Sequence, residues 1–336
     1  MIPTNLKPQS ANDANSRVLV IDGLNTYLRV FTSMQAFSAN GEFVGGIIGF
    51  LRSIGLNIRD FQPTRCILVF DGKGGSVRRK KLYPEYKANR TGKNGMRMDL
   101  FSSVEEEKAS MRKQLIRIIH YLNHLPIQIF QVDNVEADDV IAYLTMQYFK
   151  SKGSKVRIVS TDRDFYQLID PNIEVYSPVK KKLYNEKVLF DEFALTPEEY
   201  LTYRVVTGDT GDNIPGIGGI GLKTLVKYFP NPTSIERLIQ ESKQIITEEK
   251  KPKQIFKKLI KNEEVLDRNY KLMQLQETDI SGMTKINLFN QLESPNLKRT
   301  KNYEFRKLLH EDQITTSFKN PDEWLMTTFT GLNVWI

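Results

Sequence analysis

Residues 18–23 read VLVIDG and residues 67–72 read ILVFDG. Each is a short run of branched apolar residues closed by an aspartate and a glycine. Runs of this kind are strands of a sheet covered on both faces, as parallel sheets are. Strands are therefore predicted at 17–22 and 65–71, and similar runs place three more near 127–132, 155–160 and 173–177. Helical periodicity falls between and after them, at 44–60, 103–123, 137–151 and 197–207. The alternation predicts an α/β core with a central, mostly parallel sheet and helices on both faces. Beyond residue 195 the strand signal stops and short helices take over.

Working outward from the two opening strands, carboxylates recur where strands end or helices begin. Asp22 and Asp71 close the first two runs, and a glycine after each lets the backbone turn sharply. VEADDV at 135–140 adds Glu136, Asp138 and Asp139, VSTDRDF at 159–165 adds Asp162 and Asp164, and GDTGDN at 208–213 adds Asp209 and Asp212. The carboxyl ends of parallel strands share one sheet edge, where open α/β sheets bind ligands, so these acids are predicted to meet there. Clustered carboxylates in a low-dielectric cleft repel one another, which predicts raised pKa values or bound hard cations. Singly, several have blander readings: Asp138 and Asp139 suit the first turn of a helix, and Asp212 before Asn213 suits a turn.

The residue types absent from the pattern narrow the cation. There is one cysteine, Cys66, and three histidines, His120, His124 and His310, none at a Cys/His ligand spacing. All-oxygen sites suit Mg²⁺, with Mn²⁺ as a substitute. So many acids exceed one octahedral site and point to two ions sharing a phosphodiester. A single cysteine excludes a disulfide framework, and within CILVF it reads as a buried core thiol. The first 16 residues carry no apolar stretch suited to a signal peptide, and no run approaches a membrane span. An intracellular, cytoplasmic protein without a membrane partner is expected.

The net charge is +8 despite these acids. Residues 73–97 hold Lys73, Arg78, Arg79, Lys80, Lys81, Lys87, Arg90, Lys93 and Arg97 against Glu85 alone, with Tyr83 and Tyr86 between them. This stretch reads as a grip on a polyanion, and acids for metals beside bases for phosphates is the electrostatic layout of a nuclease. A second basic stretch, KKPKQIFKKLIK at 250–261, reads as a solvated face. In IPGIGGIGLKTLVKYF at 214–229, Gly216, Gly218, Gly219 and Gly221 precede an amphipathic helix whose N-terminal amides can meet a phosphate. No strand leads into it, which excludes a dinucleotide fingerprint. A hairpin between helices that holds a DNA backbone without reading its sequence fits, with Lys223 and Lys227 adding charge.

The ordered set VLVIDG, FDG, LYPEYKANR, VEADDVIAYL, VSTDRDFYQL and GDTGDNIPGIGGIGLKTL resembles the 5′-nuclease or flap endonuclease superfamily over roughly residues 17–230. It looks most like the 5′-nuclease domains of bacterial DNA polymerase I and the stand-alone flap endonucleases or ribonucleases H of tailed bacteriophages. The resemblance implies a PIN-like core, a helical arch and an all-helical helix-three-turn-helix domain. The expected layout is a flexible arm at 1–16, a core at 17–195 with its arch at about 78–115, a helical domain at 196–311 with a helix-hairpin-helix at 208–229, and a tail at 312–336.

By the same resemblance Asp22, Asp71, Glu136 and Asp138 are ligands of a first, catalytic ion. Asp162, Asp164, Asp209, Asp139 and Asp212 serve a second, several through water. Lys87 stabilises charge on the scissile phosphate, assisted by Arg79 or Lys80, Tyr86 stacks on terminal bases, and Arg90 contacts DNA. Segment 44–50 meets the duplex near the nick, and 214–224 grips it, with a monovalent cation held by its carbonyls. The implied activity is two-metal-ion hydrolysis near 5′ ends of flaps, nicked duplexes or RNA primers on DNA, in replication, Okazaki fragment processing and repair. The implied setting is a monomer acting on DNA and RNA–DNA hybrids, in the host cytoplasm if phage-encoded. The tail, with Trp324 and Trp335, is either a contact for a single-stranded DNA-binding protein or packing on the core. A PIN-type ribonuclease and a non-catalytic structure-specific DNA-binding protein are the competing readings.

Overall fold

The computed structural model describes residues 15–90, 97, 99–277, 280–293 and 300–335. Nearly all of the expected N-terminal arm, the middle of the arch with Lys93, and the side chain of Trp335 lie outside the described residues.

Six strands form one sheet: β1 (Arg17–Asp22), β2 (Arg65–Asp71), β3 (Gln128–Val132), β4 (Lys155–Val159), β5 (Ile173–Ser177) and β6 (Lys182–Tyr184). Their order is β3-β2-β1-β4-β5-β6. The first five are parallel, and β6 pairs antiparallel with β5. The sequence places the five parallel strands and misses β6, whose KLY is too short to carry a period. With β1 and β2 central, Asp22 and Asp71 come out at the same sheet edge, and the turn after β4 delivers residues 160–164 beside them.

Fourteen α-helices complete the described chain: α1 (Gly23–Ser33), α2 (Gly45–Phe61), α3 (Val77–Leu82), α4 (Val104–Leu122), α5 (Ala137–Ala142), α6 (Glu186–Phe193) and α7 (Pro197–Thr207), then α8 (Leu222–Tyr228), α9 (Ile235–Glu248), α10 (Gln254–Lys261), α11 (Glu263–Met273), α12 (Gly282–Glu293), α13 (Asn302–Glu311) and α14 (Pro321–Phe329). The helix predicted over 137–151 is present, but it widens to a π-helical stretch at Tyr143–Phe149 and ends in a 3₁₀ turn before Gly153, whose φ is +70°. A two-residue ladder, β7 (Gly208–Asp209) with β8 (Ile214–Pro215), interrupts the helical half.

Period-two alternation divides the core. Leu19, Ile21, Cys66 and Leu68 face α1, α2 and α4, while Val18, Val20, Ile67 and Val69 face α5 and α7. A third cluster joins α7 to α11 around Val205, Leu225, Phe256 and Leu266.

The C-terminal helices differ from the expectation. Phe305 and Leu309 of α13, Phe318, and Leu325 and Phe329 of α14 are buried in the first cluster against α2, and α12 buries Leu288 and Leu292 in the second. Trp324 stacks on Phe305, with centroids 5.8 Å apart, and meets Phe318 and Phe329 edge-on. It also fills the space over Gly55, where a Cβ would lie 2.8 Å from the indole. Of the two readings of the tail, Trp324 follows the packing one. Helix periods this short and interrupted do not announce their core face in the sequence.

Candidate active site

The sheet edge organises the acids. Asp22 caps α1, accepting from the Asn25 amide at 3.0 Å and from the Ser160 hydroxyl at 3.0 Å. Asp71 ends β2 and accepts from the Ala137 amide at 2.8 Å, which seats the first turn of α5 against the strand. That turn carries Glu136 as its cap and Asp138 and Asp139 just inside it. Asp162 follows β4 and accepts from the Asp164 amide at 2.8 Å, folding the VSTDRDF turn tightly back toward Asp22. Asp209 sits on β7 and Asp212 in the turn to β8.

The acids fall into two electrostatic groups. Burial pushes the Asp22 carboxyl up to about 7 despite its two donors, with the Asp162 and Asp71 charges adding to the effect. Burial, then Asp162 and Asp22, likewise raises Asp138 well above the carboxylate range. Asp162 is raised by burial, with Asp212 and Asp209 contributing. Asp164 rises to about 7 through burial and Asp162, although Arg204 bonds it at 2.9 Å. These carboxyls feel one another's charge, which places them around one pocket, and side-chain cations do not neutralise them fully.

The second group is paired. Glu136 is 2% exposed and takes the Lys87 ammonium at 2.8 Å, the Ser76 hydroxyl at 2.8 Å and the Arg79 guanidinium. Burial opposes its ionisation, but Arg79 and Lys87 outweigh that and hold it at about 2. Arg79 also grips Asp139 through two bonds of 2.7 and 3.0 Å. Arg204 bridges Asp164 and Asp209. Burial would raise Asp209, yet that pair and two backbone donors leave it lowered. Asp212 is bound by Arg90 and by the Tyr86 hydroxyl at 3.0 Å. Among the described residues, no group of three acidic, His or Cys side chains is gathered closely enough to hold a metal ion by itself.

The expected DNA contacts divide. Arg79 is 4% exposed and turned inward, with its Nε on the Leu272 carbonyl at 2.8 Å, so it serves the acids and leaves no face for a phosphate. Tyr86 is 2% exposed and shares its hydroxyl between Glu136 and Asp212, so its ring is closed to terminal bases. Arg90 spends its guanidinium on Asp212, while Lys80 is exposed. Lys87 adopts a left-handed φ of +57°, which turns its ammonium into the pocket, and its amide bonds the Asp212 carbonyl at 2.9 Å. Burial works against the charged Lys87, but Glu136, Asp212 and Asp138 overcome it and raise its pKa.

Segment 44–50 is also buried: Gly45, Gly46 and Gly49 lie against the Met34 carbonyl, Gln114 and Val30, which removes this helix start from a duplex. At the hairpin, Gly216 packs where a Cβ would be 2.1 Å from the Thr207 carbonyl, so it serves the β7–β8 crossing. Gly218 and Gly221 have open space in front of them, Gly219 turns the chain at φ +83°, and Lys223 is exposed beside them. Arg204, Ser160 and Ser76 are site residues that the sequence reading passed over. Nothing local marks Arg204, which reaches both acids only because α7 runs past the VSTDRDF turn.

Comparison with known proteins gives this geometry a lineage. Residues 17–194 match the 5′-3′ exonuclease N-terminal resolvase-like domain, and residues 195–294 match the 5′-3′ exonuclease C-terminal SAM fold. The chain belongs to the 5′-3′ exonuclease family. This chain is 31% identical over 316 residues to the thermostable DNA polymerase I of Thermus thermophilus, covering 93% of this chain and 35% of that protein. It therefore spans about a third of that polymerase's length. To the 5′-3′ exonuclease of Aquifex aeolicus it is 28% identical over 257 residues, 76% of this chain and 80% of the other. Among solved structures, the flap endonuclease of bacteriophage T5, crystallised with DNA and metal ions, superposes with a TM-score of 0.62 at 20% identity, covering 88% and 99% of the two chains. Human GEN1 bound to Holliday junction DNA superposes at 0.55 with 12% identity, over 96% and 72%. At such identities the likeness is one of fold, a mostly parallel resolvase-like core joined to a helical domain. No helix among the described residues is long and apolar enough to cross a membrane.

Proposed function

We propose that this protein is a structure-specific 5′-nuclease that hydrolyses phosphodiesters near the 5′ end of flaps, nicked duplexes or RNA primers on DNA. The observation that carries the reading is the pocket in which the buried Asp22 and the half-buried Asp138, Asp162 and Asp164 repel one another, with Asp71 exposed at its edge and adding its charge at Asp22, a set incompletely neutralised by the protein's own cations. An all-oxygen set with surplus negative charge fits hard divalent cations, Mg²⁺ foremost and Mn²⁺ as a substitute. Because no three side chains close a shell unaided, such ions would be completed by water and the substrate's phosphate oxygens, as Mg²⁺ commonly is. When bound, a pair of divalent ions lowers the pKa of a water and neutralises charge at phosphorus.

The chain's own groups have distinct parts in this reading. Lys87, held by Glu136, would meet charge developing on a phosphate oxygen. Arg79 orients Glu136 and Asp139 and helps keep Glu136 ionised, and Arg204 does so for Asp209. Asp139 and Asp212, engaged by arginines, support the site better than they would ligate. A monovalent cation at the hairpin fits poorly, since the Pro215 carbonyl takes the Asn269 amide at 2.8 Å and the Gly218 carbonyl takes Lys258 at 2.8 Å. The enzyme would act as a cytoplasmic monomer, and any contact with a single-stranded DNA-binding protein would have to use a surface other than the packed Trp324. Asp71→Asn is expected to abolish cleavage of a 5′-flap substrate in Mg²⁺ while leaving DNA binding in place. Undiminished cleavage by that variant would refute the assignment.

A further inference from the structure

The two basic stretches are used differently once folded: the first spends several of its cations on acids, while its Lys73, Lys80 and Lys81 stay exposed. In the 73–97 stretch, Arg79, Lys87, Arg90 and Arg97 are turned onto Glu136, Asp139, Asp212 and Asp99. The 250–261 stretch keeps its charge outward. Helix α10 buries Ile255, Phe256 and Leu259 in the core that also holds Ile217 and Ile220 of the glycine hairpin. Its Lys257, Lys258 and Lys261 are exposed, as are Lys250, Lys251 and Lys253 just before it. The Lys258 ammonium reaches the Gly218 carbonyl at 2.8 Å, which fixes α10 directly beside the hairpin's open glycines. On α8, Lys223 and Lys227 are exposed as well.

The ion pairs of this region are Arg237–Glu241, Lys243–Glu263 and Lys271–Asp267, so among the described residues none of these eight lysines is matched to a carboxylate. Residues 222–261 hold ten basic side chains against four acidic, a net +6 out of the chain's +8. Eight of these ten basic side chains are the exposed lysines just named, which a polyanion can reach.

We infer that α10 and the segment before it form, with the hairpin and α8, one continuous track for the phosphate backbone of double-stranded DNA, recognised by charge and without regard to sequence. An eight-residue helix is about 12 Å long, and duplex DNA presents a phosphate charge roughly every 1.7 Å of its axis. Several lysines along α10 thus face several phosphates at once, and each contact releases a counterion. The inference rests on the nuclease reading for its choice of ligand but not for its measurement.

The test is the salt dependence of binding to a short nicked duplex, followed by fluorescence anisotropy in EDTA so that no cleavage is needed. Lys250→Gln, Lys257→Gln and Lys261→Gln are combined in one variant. A matched control removes the same charge elsewhere through Lys155→Gln, Lys181→Gln and Lys307→Gln. The slope of log affinity against log salt is expected to fall by about 2 to 3 in the first variant, at about 0.9 per phosphate contact, and by less than about 1 in the control. Equal slopes in the two variants would overturn the inference, as would an equal loss on a single strand of the same length. If the triple variant does not fold, Lys257→Gln alone must lower the slope by about 0.9, and an unchanged slope has the same overturning force. A wild-type chain that binds duplex with the predicted slope but never cleaves would sink the nuclease reading and leave this track standing.

Discussion

At Asp22 and Asp164 the folded protein works against its own charge. Both carboxyls are pushed up to about 7, by burial first and by neighbouring acids next. Ordinary aspartates titrate near 4, so between about pH 4 and pH 7 the folded chain holds protons that the unfolded chain has released. Stability therefore falls as pH rises through that window. A divalent cation bound among these carboxylates would offset the loss, so the gain in melting temperature on adding Mg²⁺ is expected to be larger at pH 8 than at pH 5. Equal gains at the two pH values, read by calorimetry, would contradict a cation among these groups. The acids were legible in the sequence because each follows an apolar run. Their division into exposed charge and paired charge was not, because Arg79, Lys87, Arg90 and Arg204 arrive from other segments, and spacing along the chain says nothing of which cation meets which acid.

Elements show the same division between local signal and tertiary partner. The strands ending at Asp22 and Asp71 were readable because a buried parallel strand must be apolar on both faces. Helix α14 was not, since PDEWLMTTF carries only Leu325 and Phe329 as fully buried anchors and the surface that receives them lies on α2. Its packing makes a direct prediction: Phe329, fully buried, when changed to Ala should cost about 3–5 kcal/mol of stability, measured by urea unfolding. A loss below about 1 kcal/mol would mean that the C-terminal helices are not part of this core. The basic stretches teach a related point. The first read as a grip on a polyanion and the second as a solvated face, and only the folded contacts separate cations spent on acids from those still available.

At the scale of the whole molecule, Arg79 joins three parts of the chain. Its side chain rises from α3, holds Glu136 and Asp139 at the start of α5, and donates to the Leu272 carbonyl at the end of α11. Arg79→Met removes the cation the two buried carboxylates share, leaving Glu136 to Lys87 and Asp139 to the more distant Arg78 at 3.8 Å, which should destabilise the fold by about 3 kcal/mol. The expected observation is a single unfolding transition shifted to lower temperature. A shift confined to cleavage rate, with unchanged melting, would assign Arg79 to the chemistry alone. The sequence by itself determined the parallel core, the edge at which the acids gather and the family to which the chain belongs, because apolar periodicity and the residue ending each strand are local properties. Only the tertiary structure decided which acids keep surplus charge, which lysines still face outward, and where the C-terminal helices lie. Charge compensation and side-chain burial are contacts between distant segments, and neither exists until the chain folds.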